Sequence, residues 1–276
     1  MPLPLVPQQL CEFVRARGVV VLALAWGLAG CAYQAAPAVP EVPVAAAAET
    51  QRQRLAQTRL QLAALHFEEG RAAVAQGEIA QALQADPHNV DAYNLQGWVA
   101  LSQQDTQAAG DSFAQALALR PDDAETLYNL AWLQCQQKQF EQAQTYFEQA
   151  LAAPRKSGQS LVRIWLAKGV CLREMGQLAH AVAALEKAQA LEPEHPVVAY
   201  NFADALLAQG QAERARFYVR RVNNGPWASA PSLWLGIQVE RSLGDRIAVQ
   251  QLADQLHKRF PDSKEWQRFE QGALDD

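Results

Sequence analysis

A proline returns near the end of each apolar block through most of this chain. Pro87 and Pro121 are 34 residues apart, and later blocks end at Pro154, Pro193 and Pro261. Proline has no N–H to give to a helix and disfavours helical conformation in the residue before it, so each is expected to end a helix. A period of this length indicates a repeat architecture.

Small residues also return at fixed offsets before these prolines. They include Gly97, Ala109, Ala116, Ala143, Ala150, Gly169, Ala181 and Ala188. This pattern resembles the tetratricopeptide repeat, in which two antiparallel helices, A and B, approach closely at such residues. The resemblance implies an all-α fold, a right-handed α-solenoid. We predict a repeat domain over residues 51–266 and a C-terminal tail over 267–276, with six repeats at roughly 56–89, 90–123, 124–157, 162–195, 196–229 and 230–263.

The composition favours a helical fold and limits the classes of partner that the chain could bind. The chain has 276 residues, only 8% of them aromatic, and a formal net charge of −5. Removing residues 1–30, with two arginines and one glutamate, leaves about −6. An acidic chain without a basic run argues against binding nucleic acid, and also against binding anionic lipid through a basic patch.

The N-terminus predicts export and lipidation. Thirteen uncharged residues separate Arg17 from Cys31, whereas a helix needs about 20 apolar residues to span a bilayer. Such a run behind arginines is typical of a cleaved secretory signal, and "LAGC" (28–31) resembles the lipobox of bacterial lipoproteins. We therefore expect residues 1–30 to be removed and Cys31 to carry lipid. The alternative is an ordinary secretory signal with an accidental cysteine.

Two further expectations concern the compartment and the anchor. Ala32 follows the cysteine, and by resemblance to the enterobacterial sorting rule this indicates the periplasmic face of the outer membrane in a diderm bacterium. Residues 31–50, rich in Ala and Pro, are predicted to be a flexible tether. The lipid is expected to be the only attachment to the membrane.

Two cysteines remain in the repeats. Cys135 and Cys171 fall at neighbouring positions of two successive A helices. An even pair in an oxidising periplasm is a candidate disulfide. Two buried free thiols are the alternative.

The resemblance to tetratricopeptide repeats also implies a binding groove, because in that family the A helices line the concave side. The residues carried over to it are Asn94, Trp98, Leu101, Tyr128, Trp132, Arg163, Arg173, Tyr200, Asp204 and Trp234. Trp98 and Trp132 hold the same repeat position and are candidate anchors for a partner; the alternative is that both pack between A helices. No Lys or Arg stands at the fifth position of any repeat, which excludes a carboxylate clamp of the chaperone-tail type.

No pattern in the chain predicts catalysis. The five histidines are scattered without metal-ligand spacing, and no nucleophile elbow, phosphate-binding loop or C-x-x-C motif is present. We expect no enzymatic activity, no metal, no cofactor beyond the lipid on Cys31 and no small-molecule substrate.

Two stretches give a closer resemblance. "YNLAWLQCQQKQFEQAQTYFEQAL" (128–151) and "SLWLGIQVERSLGDRIAVQQLADQLHKRFPDSKE" (232–265) resemble the type IV pilus biogenesis and stability lipoproteins of the PilW/PilF family. The resemblance implies a pilotin-like protein that binds the pilus secretin or another pilus-machine component. The resemblance further implies that such a protein promotes secretin multimerisation and localisation, or fibre stability. A periplasmic scaffold for outer-membrane assembly or for recruiting peptidoglycan enzymes is the alternative.

Overall fold

The structure, a computed structural model, describes residues 44–154 and 159–272. Within these ranges every regular element is an α-helix, as the all-α prediction required. The predicted signal peptide, Cys31 and most of the tether lie outside the described residues. Over the same ranges, no helix has the length and apolar character needed to cross a membrane.

Thirteen helices are present in the described part of the chain. In order they are α1 Val44–Glu68, α2 Ala72–Ala85, α3 Val90–Ser102, α4 Thr106–Leu119, α5 Ala124–Gln136, α6 Phe140–Ala152, α7 Gln159–Glu174, α8 Leu178–Leu191, α9 Pro196–Ala208, α10 Ala212–Asn223, α11 Ala230–Ser242, α12 Arg246–Arg259 and α13 Lys264–Glu270. The first twelve form six helical hairpins.

The hairpins fall into two compact units. The first unit ends at Leu119 and contains α1 to α4; the second begins at Arg120 and contains α5 to α13. Within each unit, consecutive hairpins pack side by side and share a core between their A and B helices.

Alanine at one repeated position of the B helices allows the two helices to pack closely in five of the six hairpins. This position is fully buried in five hairpins, at Ala75, Ala109, Ala143, Ala181 and Ala215. Four residues further on, Ile79, Phe113, Phe147, Leu185 and Val219 are also buried and fill the space beside the A helix. The large side chains need small partners: a Cβ on Gly97 would overlap the ring of Phe113, and one on Gly169 would lie 2.5 Å from Cγ of Leu185.

The turns between A and B helices require a left-handed residue. Glycine supplies it in four hairpins, for example Gly176 with φ of 75°, because it has no Cβ to clash. In the other two, Gln104 has φ of 66° and Lys138 has φ of 60°. The backbone of these two residues is therefore left-handed, a conformation that costs a residue with a side chain about 1–2 kcal/mol.

The helix ends differ from the sequence prediction at both termini. Helix α1 begins at Val44, inside the segment predicted to be a tether. Residues 44–50 follow Pro43, the last proline of that segment, and contain four alanines, which is the residue with the highest helix propensity. Helix α13 extends to Glu270, into the predicted tail. It starts 34 residues after α11 and packs on the final hairpin with Trp266 and Phe269, as the first helix of a further repeat would.

Candidate functional site

In the second unit, α5, α7 and α9 lie side by side and present the predicted groove residues. Arg163 of α7 donates a hydrogen bond to Glu125 of α5 over 2.5 Å, and its guanidinium carbon lies 4.8 Å from the ring centroid of Tyr128. Burial raises the pKa of Tyr128. Burial alone would lower the pKa of Arg163, but the Glu125 carboxylate and Tyr128 outweigh it and the pKa is raised. The tyrosine is therefore a neutral support beneath a charged pair.

A second ion pair joins α7 to α9. Nη2 of Arg173 donates to Oδ1 of Asp204 over 2.8 Å, and its Nε lies 2.5 Å from Oδ2. Burial raises the pKa of Asp204, an effect that Arg173 reduces but does not cancel. Tyr200 is half-buried, and its pKa is raised by burial and by the Asp204 charge. Arg173, Asp204 and Tyr200 thus form one cluster.

A disulfide also fixes α5 against α7. Cys135 and Cys171 are bonded, with their Cα atoms 5.9 Å apart, within the range that unstrained disulfides require. Both side chains are buried. The half-buried Trp132 lies one helical turn before Cys135, so the bond holds the segment of α5 that presents this tryptophan.

Both arginines predicted to line this groove are already neutralised by carboxylates. Besides these ion pairs, the groove of the second unit has an apolar surface. It is formed by the half-buried side chains of Trp132, Leu166, Val170, Val197 and Leu207. Such a surface suits an apolar or aromatic segment of a polypeptide better than a charged one, because a charged ligand would have to displace an existing partner.

Three of the predicted groove residues belong to the first unit, all on α3. Asn94 is buried, while Trp98 and Leu101 are half-buried on the same side of the helix. The Trp98 ring contacts the edge of Phe113 with ring centroids 6.3 Å apart. Trp98 therefore both packs on its own hairpin and presents part of its surface to solvent.

Two groove assignments need correction. Trp234 is only 8% exposed and lies in a cluster that Trp266 and Phe269 of α13 complete, so α13 covers a position that the sequence placed in the groove. Tyr128 is also buried. It supports Arg163 and does not itself present a surface.

An apolar surface on α1 was not predicted. Leu55, Leu62 and Leu65 are exposed and their spacing of seven and three residues places them on one side of the helix. A shallow depression beside Leu55 is completed by Gln84 and Ala85 of α2. The spacing was visible in the sequence, but the same helix has a second apolar stripe that faces α2, and the pattern alone does not show which stripe is covered.

The described residues contain no group of three or more His, Cys, Asp or Glu side chains arranged to hold a metal ion.

Comparison with known proteins agrees with this description. Two tetratricopeptide-repeat family models match the chain, one over residues 100–163 and 172–224 and the other over residues 60–124. Together they cover more than half of it. The type IV pilus assembly protein PilF of Pseudomonas aeruginosa is 31% identical over 108 residues, which are 39% of this chain and 43% of that protein. The alignment thus spans less than half of that relative's length.

Solved structures give longer matches. PilW, described as a widely conserved type IV pilus biogenesis factor, superposes with a TM-score of 0.72 and 28% identity, over 78% of this chain and 98% of PilW. PilF of Pseudomonas aeruginosa superposes with a TM-score of 0.70 and 26% identity, over 80% of this chain and 99% of PilF. YrrB, a repeat protein with a peptide-binding site, has a TM-score of 0.54 at 17% identity and shares the fold alone. The chain therefore belongs to the tetratricopeptide-repeat family, in which it is similar to the type IV pilus proteins PilW and PilF.

Proposed function

We propose that this chain acts in type IV pilus biogenesis as a lipoprotein at the periplasmic face of the outer membrane. It binds the pilus secretin or another pilus-machine protein and promotes secretin multimerisation and localisation, or fibre stability. The observation that carries the proposal is the match of its helical array to nearly the whole of PilW and PilF at more than 25% identity.

The proposed contact is the groove of the second unit, and Trp98 on α3 of the first unit is proposed separately as an anchor. Its cations are paired with Glu125 and Asp204, so binding would depend on Trp132 and the neighbouring aliphatic side chains. Aromatic anchors of this kind carry much of the energy of protein interfaces. The partner segment is therefore expected to be apolar or aromatic, and its binding should depend only weakly on salt.

Attachment through Cys31 supplies the location in this proposal. The residue lies outside the described part of the chain, and its support is the lipobox-like "LAGC" behind a short apolar run. A lipid anchor would keep the repeats near the membrane in which a secretin ring is assembled. Labelling with radioactive palmitate, with Cys31→Ser as control, tests this part separately.

Affinity capture from detergent-solubilised envelopes tests the partner. Tagged wild-type chain should retain the secretin, and Trp98→Ala/Trp132→Ala should lose it together with secretin multimers and piliation. A loss of several kcal/mol is expected if both residues are anchors. Tyr146→Ala, which removes a half-buried aromatic ring from α6, is the matched control and should retain the secretin.

Retention of multimers and pili by a folded, normally expressed double variant would contradict the proposed groove. Recovery of outer-membrane assembly components or peptidoglycan enzymes in place of the secretin would contradict the pilus role itself.

A further inference from the structure

The outer side of α1 carries an apolar stripe that stays exposed in the described part of the chain. Leu55 is 49% exposed, Leu62 38% and Leu65 48%. The opposite side of the helix is the buried one, where Leu60 and Ala63 pack on residues of α2 and α3. Leu62 and Leu65 each follow one of these buried residues by two positions, about 200° around the helix. The stripe therefore points directly away from the core of the first unit.

The stripe has the spacing of a coiled-coil seam. Leu55 and Leu62 are seven residues apart, and Thr58 and Leu65 follow them by three residues each. Intervals of three and four residues keep these side chains on one side of the helix, where each can pack between side chains of a facing helix. A shallow depression lined by Ala48, Gln51, Arg52 and Leu55 continues the seam toward the N-terminus of α1. This surface is shaped to receive another helix with the same spacing.

Two charged residues on one edge of the stripe have no ion-pair partner among the described residues. They are Arg54 and Glu68, both exposed. They are fourteen residues apart, which is two repeats of the seam, and so they lie on the same edge. On the other edge, Arg59 is paired with Glu78. One edge of the stripe thus carries an unpaired cation toward one end and an unpaired anion at the other.

We propose that this face of α1 binds the same face of a second copy of the chain, with the two helices antiparallel. In a twofold symmetric pair the same residues of both copies make the contact, and the antiparallel direction brings the same edge of each helix together. When Leu55 of one copy packs beside Leu65 of the other, Arg54 of the first copy lies opposite Glu68 of the second. Symmetry repeats this ion pair about 21 Å along the helices, so one pair lies at each end of the leucine contacts.

The charges favour this direction over a parallel pair. Parallel helices would bring opposite edges together and place Arg54 of one copy against Arg59 of the other, two cations that repel. In the antiparallel pair the edges that carry Arg59 also meet, but Glu78 neutralises each of them. An unrelated apolar segment would cover the leucines and leave Arg54 and Glu68 without partners. A second copy of α1 supplies both the apolar surface and the complementary charges.

This inference does not depend on the proposed pilus role, and α1 supplies none of the groove residues of α5, α7 and α9. Three leucines from each copy make a small contact, so the dimer is expected to be weak in dilute solution. Attachment of many chains to one membrane would raise their local concentration and favour it. A dimer would carry two copies of each binding surface, which strengthens binding to a partner that is itself multimeric.

Cross-linking between introduced cysteines tests the direction of the pair. Two full-length chains with different affinity tags are produced together, one with Leu55→Cys and the other with Leu65→Cys, and intact cells are oxidised with copper phenanthroline. A disulfide-linked product that contains both tags is expected. Leu55→Cys in both chains should give at least about tenfold less product, because its two thiols would be about 15 Å apart along the helices. Wild type is the blank, since Cys135 and Cys171 are already bonded to each other.

Exchange of the two charges provides matched variants, each introduced into both cysteine-bearing chains. Arg54→Glu or Glu68→Arg alone should lower the yield of cross-linked product about tenfold, because two ion pairs in each dimer change from attraction to repulsion. Arg54→Glu/Glu68→Arg should restore the yield, since opposite charges face each other again. Lys258→Glu makes the same change at an exposed position of α12 and should leave the yield unchanged. Circular dichroism of each purified variant checks that it is folded.

Absence of a product that contains both tags would overturn the proposal. An equal yield from Leu55→Cys in both chains would also overturn it, because that result indicates a parallel pair. Failure of the charge exchange to restore the yield, or an adduct with another envelope protein in place of the second copy, would overturn the assignment as well. Trp98→Ala/Trp132→Ala should lose the secretin and keep the cross-linked product, so a failure of the proposed groove is distinguished from a failure of the dimer.

Discussion

Cys135 and Cys171 join α5 to α7 with their Cα atoms 5.9 Å apart, and the ion pair of Glu125 and Arg163 joins the same two helices about 12–15 Å nearer their N-termini. One covalent bond and one charged hydrogen bond thus hold these A helices in register. The groove surface of Trp132 depends on that register.

Removal of the disulfide should destabilise the chain. The bond closes a loop with a sequence separation of 36 residues, for which the loss of unfolded-state entropy predicts about 3–4 kcal/mol. Cys135→Ser/Cys171→Ser should therefore unfold at lower guanidinium concentration than the oxidised wild type. Reductant should lower the wild-type midpoint to that of the variant and leave the variant unaffected. Two titratable thiols in the denatured, unreduced mature chain, which lacks Cys11 and carries lipid on Cys31, would contradict the bond.

Glycine in the two strained turns should stabilise the chain. Gln104 and Lys138 have positive φ, and relief of that strain at either residue should add up to about 1 kcal/mol to the free energy of unfolding. Gln103→Gly is the control, because Gln103 has φ of −92° and has no such strain to lose. A destabilised Gln104→Gly or Lys138→Gly would show that the side chain makes a contact worth more than the strain.

Substitution of the close-packed glycines should be costly. A Cβ at Gly169 would lie 2.5 Å from Leu185, and overpacking of this kind costs about 1–3 kcal/mol. Gly77 provides the control, since it lies inside α2 and a Cβ there would meet nothing within 4 Å. Gly77→Ala should be neutral or stabilising by up to about 1 kcal/mol, and thermal melts of both variants would show opposite shifts.

The N-cap of α5 should make stability depend on pH. The Asp123 side chain accepts hydrogen bonds from the Thr126 backbone and hydroxyl, at 2.9 and 2.8 Å. Burial would raise its pKa, but these bonds and Arg120 outweigh burial and lower the pKa below 3.8. The carboxylate therefore stabilises the folded chain above the unfolded pKa of about 4, and this contribution is lost as pH falls through that value toward the lowered folded pKa.

Asp123→Asn isolates that contribution, because asparagine retains the capping acceptor without the charge. The difference in unfolding free energy between wild type and variant should shrink as the pH of urea titrations is lowered through this window. A difference that is independent of pH would mean that the charge of Asp123 contributes nothing.

The repeat period predicted the all-α fold because it depends only on local physical rules. Val90, Ala124, Pro196 and Ala230 begin A helices, and each is also the first residue of a predicted repeat. The burial of Trp234 could not be foreseen in the same way. The seventh unit is represented by seven residues alone, too few to show the small-residue offsets by which the other hairpins are recognised.

The charges of the candidate site show a second limit of sequence reasoning. Arg163 and Arg173 both lie on α7, but their neutralisation depends on Glu125 and Asp204, which are 38 and 31 residues away in sequence. Pairing across helices depends on rotamers and helix spacing that no periodicity encodes.

Helix α13 has a consequence for assembly. A stack of hairpins has no natural stopping point, since each open face is shaped to receive one more unit, including one from another molecule. Trp266 and Phe269 close that face, while Lys264, Gln267, Arg268 and Glu270 turn toward water. Helix α13 therefore covers apolar side chains of the last hairpin, and a chain truncated after Pro261 is expected to self-associate, which analytical ultracentrifugation would detect.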